Sequence, residues 1–338
     1  MEYNFELLDL LNRKEFCIKE LDSTPYGSVE VRDNYIYTHY KIDDKAYTKY
    51  IGEYTEDAYN ETINNNIKAK KLKKEIRNIN KKLDGFGYRE ITLSDEVKTN
   101  IDFARRNLAN TIYKQAILEG VNTTLVKTEN IIEGLIVNNM TPSDVLKIIN
   151  LKHAWDFILD KYVITFKTDY NILCSINKLV VEGFYYNAGK LRSVPVSITG
   201  TTWTPDYPIE ADIKDDINRI LNRRINDVDK AIELLLYVTK KQMFIDGNKR
   251  TSIIFANHYL ISKAKGLIVI PDNKVEEYKK LLIEYYETNN KEKIKEFIKK
   301  NHIYLWFFFF LLFFLTSFFS SIVSTFVSCS FLSLNISI

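Results

Sequence analysis

Gln242-Met243-Phe244-Ile245-Asp246-Gly247-Asn248-Lys249-Arg250 is the stretch on which the fold turns. Upstream of it, Val228, Ala231, Ile232, Leu235, Val238 and Gln242 recur at helical spacing, so Gln242 closes an apolar stripe at a helix end. Downstream, Thr251 to Ala264 reads as a largely buried helix carrying Ile253, Ile254, Ala256, Leu260, Ile261 and Ala264. Asp246-Gly247-Asn248 between them is turn chemistry, because Gly accepts positive φ while Asp and Asn bond their own backbone. A tight turn feeding a helix N-terminus points free N–H groups at one spot, and the helix dipole adds positive character there. Lys249 and Arg250 stand where they complete that anion site around a phosphate. The plain alternative is a helix–loop–helix joint with solvated cations.

Outside this stretch, composition excludes more than it assigns. The chain has 338 residues, and 47 Lys+Arg against 44 Asp+Glu leave a net +3, which is no global nucleic-acid signal. Its length suits about two domains. Cys17, Cys174 and Cys329 lack ligand spacing and read as free thiols of a reducing compartment. His39, His153, His258 and His302 are too scattered for a metal cluster. The polar, acidic N-terminus lacks a secretory profile, so the body of the protein is expected in the cytoplasm.

In chain order, residues 1–22 read as a helical lead-in. Tyr35 to Lys41 and Ala46 to Ile51 are β-prone runs split by Asp43-Asp44, which predicts a hairpin rich in Tyr, Lys and Arg. Residues 57–83 predict a helix. From Lys68 to Lys82 it holds eight Lys/Arg against Glu75 alone. That stripe is either a solvated face or a contact for nucleic acid or anionic lipid. Asp84-Gly85-Phe86-Gly87 marks a boundary, followed by helices from Ser94 to about Leu118, over roughly 123–138, from Thr141 to Leu159, and across 165–183. Gly266 to Pro271 is a short apolar run, and 272–287 and 290–300 read as amphipathic helices. From Asn301 onward there is no Lys, Arg, Asp or Glu, and ten of the chain's 20 Phe lie there. Residues 303–327 are long enough for one bilayer crossing, with Lys299 and Lys300 keeping the body cytoplasmic. The alternative for this tail is T-rich DNA translated out of frame.

The central loop resembles the signature of the Fic/Doc (Fido) family, His-x-Phe-x-Asp/Glu-Gly-Asn-Gly/Lys-Arg between two helices. Phe244, Asp246, Gly247, Asn248, Lys249 and Arg250 match it. Gly189-Lys190-Leu191-Arg192 with Val196-Ser197-Ile198-Thr199-Gly200 is similar to the family's flap segment. Val196 and Ile198 alternate there with Ser197 and Thr199, as on a half-exposed edge strand. Thr128-Glu129-Asn130-Ile131-Ile132-Glu133-Gly134 is similar to the family's inhibitory motif, Ser/Thr-x-x-x-Glu-Gly/Asn, with Glu129 in the Ser/Thr place. A plain helix end capped by Gly134 is the other reading.

The resemblance, over roughly residues 120–300, implies a mainly α fold, a Fic-type helical bundle with a small β-hairpin flap; the N-terminal hairpin and basic helix precede it as an unrelated module. The expected organisation is 1–84 for that module, 85–164 for a helical lead-in, 165–300 for the Fido domain and 303–327 for the candidate anchor. It also implies ATP and Mg²⁺, with transfer of AMP, or of phosphate as in Doc, to a hydroxyl of a target protein held by Val196, Ser197, Ile198 and Thr199. Asp246 would hold Mg²⁺, Gly247, Asn248, Lys249 and Arg250 the phosphates, and Glu133 would be the regulatory residue. Gln242 stands where the family has its base His. A primary amide accepts a hydrogen bond but has no useful basicity, so activity is expected to be weakened or lost, and loss of a positioned base costs about 10²–10⁴ in rate. Ile253 replaces a further Arg of the longer signature, and Lys249 leaves the transferred group open. An inactive binding protein, and an adaptor working through the basic helix, stand as alternatives.

Overall fold

Alternating tyrosines and a long polar helix build the first of two compact units, which divide between Thr92 and Leu93. The structure, a computed structural model, describes residues 2–42 and 45–303. In the first unit α1 (Glu2–Ser23) is followed by β1 (Ser28–Arg32), β2 (Tyr35–Ile42), β3 (Lys45–Glu53) and α2 (Glu56–Gly85). The strands form an antiparallel meander in the order β1-β2-β3, so the expected hairpin gains a third strand. Asp33 and Asn34 make the first turn with φ of 51° and 68°, the two-residue geometry whose twist suits a hairpin. Thr55 caps α2 by accepting from the Ala58 N–H. Thr62, Ala69, Leu72, Ile79 and Leu83 form its buried stripe, α1 packs on α2, and Arg13 grips Glu75 with two bonds of 2.6 and 3.0 Å.

The second unit is helical. It comprises α3 (Asp95–Arg106), α4 (Leu108–Leu118), α5 (Leu125–Ile132), α6 (Pro142–Ile158), a 3-10 turn (Val163–Thr165), α7 (Tyr170–Val180), α8 (Glu210–Leu221), α9 (Asp227–Lys241) and α10 (Asn248–Ser262). After α10 come β4 (Leu267–Ile268), α11 (Val275–Thr288), α12 (Glu292–Lys300) and β5 (His302–Ile303), with β4 and β5 paired antiparallel. Helix α10 is the axis, touching α9, α7, α6 and α3. Nearly every residue from Asn248 to Ile261 is buried, the pattern of a helix surrounded by others. Its buried Asn257 and His258 are matched. Asn257 donates to the Ile268 carbonyl at 2.8 Å and accepts from the Ile268 N–H at 2.9 Å, which fixes β4. His258 sits between Thr168 Oγ1 (2.8 Å) and the Val163 carbonyl (3.1 Å).

Three expectations change. The helix predicted from Ser94 to Leu118 breaks at Asn107, whose side chain bonds the Phe103 carbonyl at 2.8 Å and ends the first segment. Helix α8 has no counterpart in the sequence reading, which passed over Glu210 to Leu221. The flap is a loop without assigned strand over 191–209, because Pro195, Pro205 and Pro208 withhold N–H donors and among the described residues no strand pairs with it. The candidate membrane segment, apart from Ile303, lies outside the described residues, as does Cys329. Among the described residues no helix is long and apolar enough to cross a membrane.

Candidate active site

The loop 242–250 is fixed from both ends before any ligand is considered. Gln242 ends α9 in the left-handed region, at φ 47° and ψ 57°, which turns the chain out of the helix. Its side-chain Nε2 donates back to the Thr239 carbonyl at 2.6 Å. Phe244 plugs into the core at 1% exposure. Asn248 locks the turn reciprocally, accepting from the Phe244 N–H at 3.0 Å and donating to the Phe244 carbonyl at 2.8 Å. Gly247, at φ 77°, lies so near α7 that a Cβ there would stand 2.7 Å from Val181 Cγ1 and 3.0 Å from Val180 Cγ1. Only glycine meets both conditions. Asn177 on α7 completes the frame by donating to the Asp246 carbonyl at 3.0 Å and to Thr251 Oγ1 at 3.1 Å.

This frame opens α10 without a side-chain cap, so its first N–H groups face outward from the loop. Arg250 is 3% exposed. It reaches Asp246 Oδ2 at 2.9 Å and the Val180 carbonyl at 3.4 Å. Its Nε stands 3.5 Å from Glu119 Oε2, and Lys249 Nζ stands 3.6 Å from Glu119 Oε1. Neither approach makes a hydrogen bond: Arg250 Nε and Glu119 Oε1 are both buried and lack a hydrogen-bond partner among the described residues. Glu119 thus faces both loop cations. Gln115, one turn earlier on α4, holds it there by donating to the Arg250 carbonyl at 2.9 Å while accepting from Trp155 Nε1 at 3.0 Å.

The predicted residues are therefore partly assembled. Asp246, Gly247, Asn248, Lys249 and Arg250 converge on the start of α10, with Gln242 at the mouth of the turn. Glu133 is exposed and caps α5, where its N–H bonds the Glu129 carbonyl at 2.9 Å. Gly134 follows at φ 80°. The acids beside Arg250 are Asp246 from the loop itself and, from outside it, Glu119 at the end of α4. The signal for Glu119 was present in the chain: Gln115-Ala116-Ile117-Leu118-Glu119-Gly120 has the Glu-Gly pair four residues after a polar side chain, with Gln where the motif has Ser/Thr.

Arg192 ties the flap to the loop. Its backbone N–H donates to the Met243 carbonyl at 3.0 Å. Its guanidinium donates to the carbonyls of Gln242 (2.7 Å), Val194 (2.9 Å), Pro205 (3.1 Å) and Asp206 (2.6 Å). Between these anchors Val196 and Ile198 are half-buried while Ser197 and Thr199 are exposed, so the alternation read from sequence persists without a ladder. Trp203 stacks on Tyr286 of α11 at 5.5 Å and 13°. Burial pushes the Tyr286 hydroxyl well above its ordinary range, opposed in part by a hydrogen bond from Gln242.

A triphosphate with Mg²⁺ fits these residues. The outward N–H groups of α10, Lys249 and the unsatisfied Arg250 Nε supply anion donors, and Asp246 is 42% exposed and offers a carboxylate oxygen. Among the described residues no group of three or more His, Cys, Asp or Glu could hold a metal alone. Mg²⁺ at Asp246 would need phosphate and water for the rest of its shell. Glu119 opposes the fit, since its charge lies where phosphate oxygens would come.

A Fic/DOC family model matches residues 167–260, from before α7 through α10. The structure of a Fic-domain-containing signalling protein from Bacteroides thetaiotaomicron is similar, with a TM-score of 0.51 at 17% identity over 62% of this chain and 85% of that one. Fic-1 from C. elegans gives 0.48 at 17% identity over 72% of this chain and 76% of that one. No curated protein matches. At such identity the Bacteroides likeness speaks to fold, while the family match carries the loop and flap motifs themselves: residues 167–260 of this chain are a Fic/DOC-family domain.

Proposed function

We propose that this domain binds ATP with Mg²⁺ at the start of α10 and transfers AMP to a hydroxyl of a protein chain lying along 196–199, releasing pyrophosphate and giving the hydroxyl proton to water, slowly, because Gln242 holds the place of the base. The observation that carries this reading is the buried Arg250, which has a satisfied side toward Asp246 and an unsatisfied Nε toward Glu119. A cation kept under-coordinated at a helix start is a preformed phosphate contact. Asp246 would hold Mg²⁺, and Gly247 lets the backbone pass close enough for the amides of 248–250 to converge. When bound, Mg²⁺ neutralises phosphate charge and makes the phosphorus more electrophilic. The chain's own contribution is positioning and charge, which is most of what phosphoryl-type transfer requires.

Gln242 orients a hydroxyl by hydrogen bonding but cannot take its proton. Glu119 keeps the site closed to a polyanion until it swings away from Lys249 and Arg250. A second reading, a partner-binding protein that retains the pocket without chemistry, is favoured by the Gln242 amide being spent on Thr239.

ATP labelled at the α or γ phosphate separates them. Transfer of α label to protein by the unmodified chain supports the enzyme, with Gln242→His about 10²–10⁴ faster. Transfer only by Gln242→His supports the binding protein, and transfer of γ label alone points to phosphate as the group moved. Absence of ATP binding by calorimetry in both forms, with Glu119→Ala also tested, removes the proposal.

A further inference from the structure

None of the residues named above belongs to the first unit, whose surface has a composition of its own. On α2, Lys70, Lys74, Arg77 and Lys81 follow one another at i, i+4, i+7 and i+11, with Lys71 and Lys82 flanking, and all six are exposed. Such a row runs about 16 Å along the helix. Between Ile67 and Lys82 the sole acid is Glu75, and it is turned to Arg13 on α1. Lys68 pairs with Glu20 at 2.6 Å and Lys73 lies 4.0 Å above the Tyr26 ring, so these two are occupied on the packed side. The stripe itself has no neutralising partner among the described residues.

The sheet adds a second feature. Along β2 the side chains of Ile36 and Thr38 are buried, which puts Tyr35 and Tyr37 on the opposite face. Tyr50 of β3 joins them at centroid distances of 5.8 and 5.7 Å, and the Arg32 guanidinium lies 5.1 Å from the Tyr37 ring. Tyr50 is 54% and Tyr35 37% exposed, so their ring surfaces face solvent. The bond from the Gly27 N–H to Asn66 Oδ1, at 2.8 Å, fastens the chain entering the sheet to α2.

We propose that the 2–92 unit binds single-stranded nucleic acid, with the α2 stripe taking phosphates and the Tyr35–Tyr37–Tyr50 face stacking unpaired bases. Cations without acids give a salt-dependent backbone contact, and every base has a face that an aromatic ring can stack on. A membrane surface suits the unit less well. Interfacial helices need an apolar face beside the basic one, and Ile67 is the single large apolar residue exposed on α2.

The test is fluorescence anisotropy of the full-length chain with a labelled mixed-sequence strand of about 20 nucleotides, from roughly 50 to 200 mM salt. The expected log–log salt slope is about −4, from roughly 0.7 per neutralised phosphate. Replacing Lys70, Lys74 and Lys81 by Gln should weaken binding at least tenfold and lower the slope by about 2. Tyr35→Leu with Tyr50→Leu should weaken single-strand binding by about tenfold and leave the slope unchanged. All five positions are exposed, and circular dichroism checks that both variants keep their fold. No binding at low salt overturns the proposal without recourse to any variant. So does binding that ignores both variants, or lysine-dependent capture by phosphatidylserine vesicles in place of nucleic acid.

Discussion

In the proposed reading Glu119 and Gln242 act by opposite means: Glu119 places a charge beside the cations Lys249 and Arg250, and Gln242 offers an amide where a base is needed. The two effects separate experimentally. Glu119→Ala relieves like-charge repulsion and leaves Arg250 its bond to Asp246, so the site stays built. ATP affinity measured calorimetrically with Mg²⁺ should rise about tenfold, equivalent to ~1.4 kcal/mol. An unchanged affinity would mean that Glu119 is only a structural partner of Arg250. Gln242→His is an unusually tolerant change, since histidine is among the residues that accept the left-handed backbone held there. Phe244, Gly247 and Asn248 were legible as turn and anchor because each role follows from residue type and spacing. Glu119 was missed because Gln stands in the Ser/Thr place and because the later Glu133-Gly134 pair has the same spacing. Which acid meets Arg250 depends on the packing of α4 against α10, and no local pattern contains that.

Arg192 is the main hydrogen-bonding anchor of the flap, beside the Trp203–Tyr286 stack and the Thr201–Glu287 bond. Arg192 donates to four carbonyls and its own N–H to a fifth, gathering 194, 205 and 206 against the turn at 242–243. Arg192→Ala leaves those side-chain-bonded carbonyls unpaired, with that of Gln242 buried and the other three partly open to water, and should cost about 1–3 kcal/mol in urea unfolding. Hydrogen exchange gives the sharper readout: protection over 193–206 should fall while that of α10 persists. Equal loss in both would make Arg192 a core residue of the whole unit. At this scale the sequence was read well where periodicity is strong, as in α2, α6, α9 and α10. It was read poorly where polar residues decide the ends. Asn107 splits one predicted helix into two through its own side chain, and α8 is so acidic and so sparsely apolar, with Ile213 and Ile217 alone buried, that its stripe escaped notice. The flap alternation was legible, but the absence of a ladder depends on what lies beside it in space.

For the whole second unit, the dependence of stability on pH follows from two buried clusters. Burial lowers His258 from its ordinary 6.5 to about 4, and the ring is neutral between Thr168 and the Val163 carbonyl. Since the unfolded chain takes up that proton first, stability is full above about 6.5 and declines as pH falls toward 4, by about 3 kcal/mol. Glu233 and Asp229 on α9 behave in the carboxylate sense. Glu233 is buried among Lys291, Lys295 and Arg223, and Asp229 contacts Lys295 and Lys299. Burial alone would raise both groups, but these cations outweigh it and hold them below their ordinary values of 4.5 and 3.8. Their contribution is present above those values and is lost as pH falls through the depressed ones, so it adds a second, more acidic limb. No tryptophan lies in residues 1–92, and Trp155 and Trp203 lie in this unit, so tryptophan fluorescence does not report the first. Urea titrations by that signal should show His258→Gln flattening the profile between about pH 6.5 and 4 while keeping the acidic limb. Glu233→Gln should do the reverse and lower stability at neutral pH by about 3 kcal/mol, because Lys291 and Lys295 lose their counter-charge at the α9–α12 contact. A neutral-to-acid profile that His258→Gln leaves unchanged would place the titration elsewhere and remove the buried imidazole from the account.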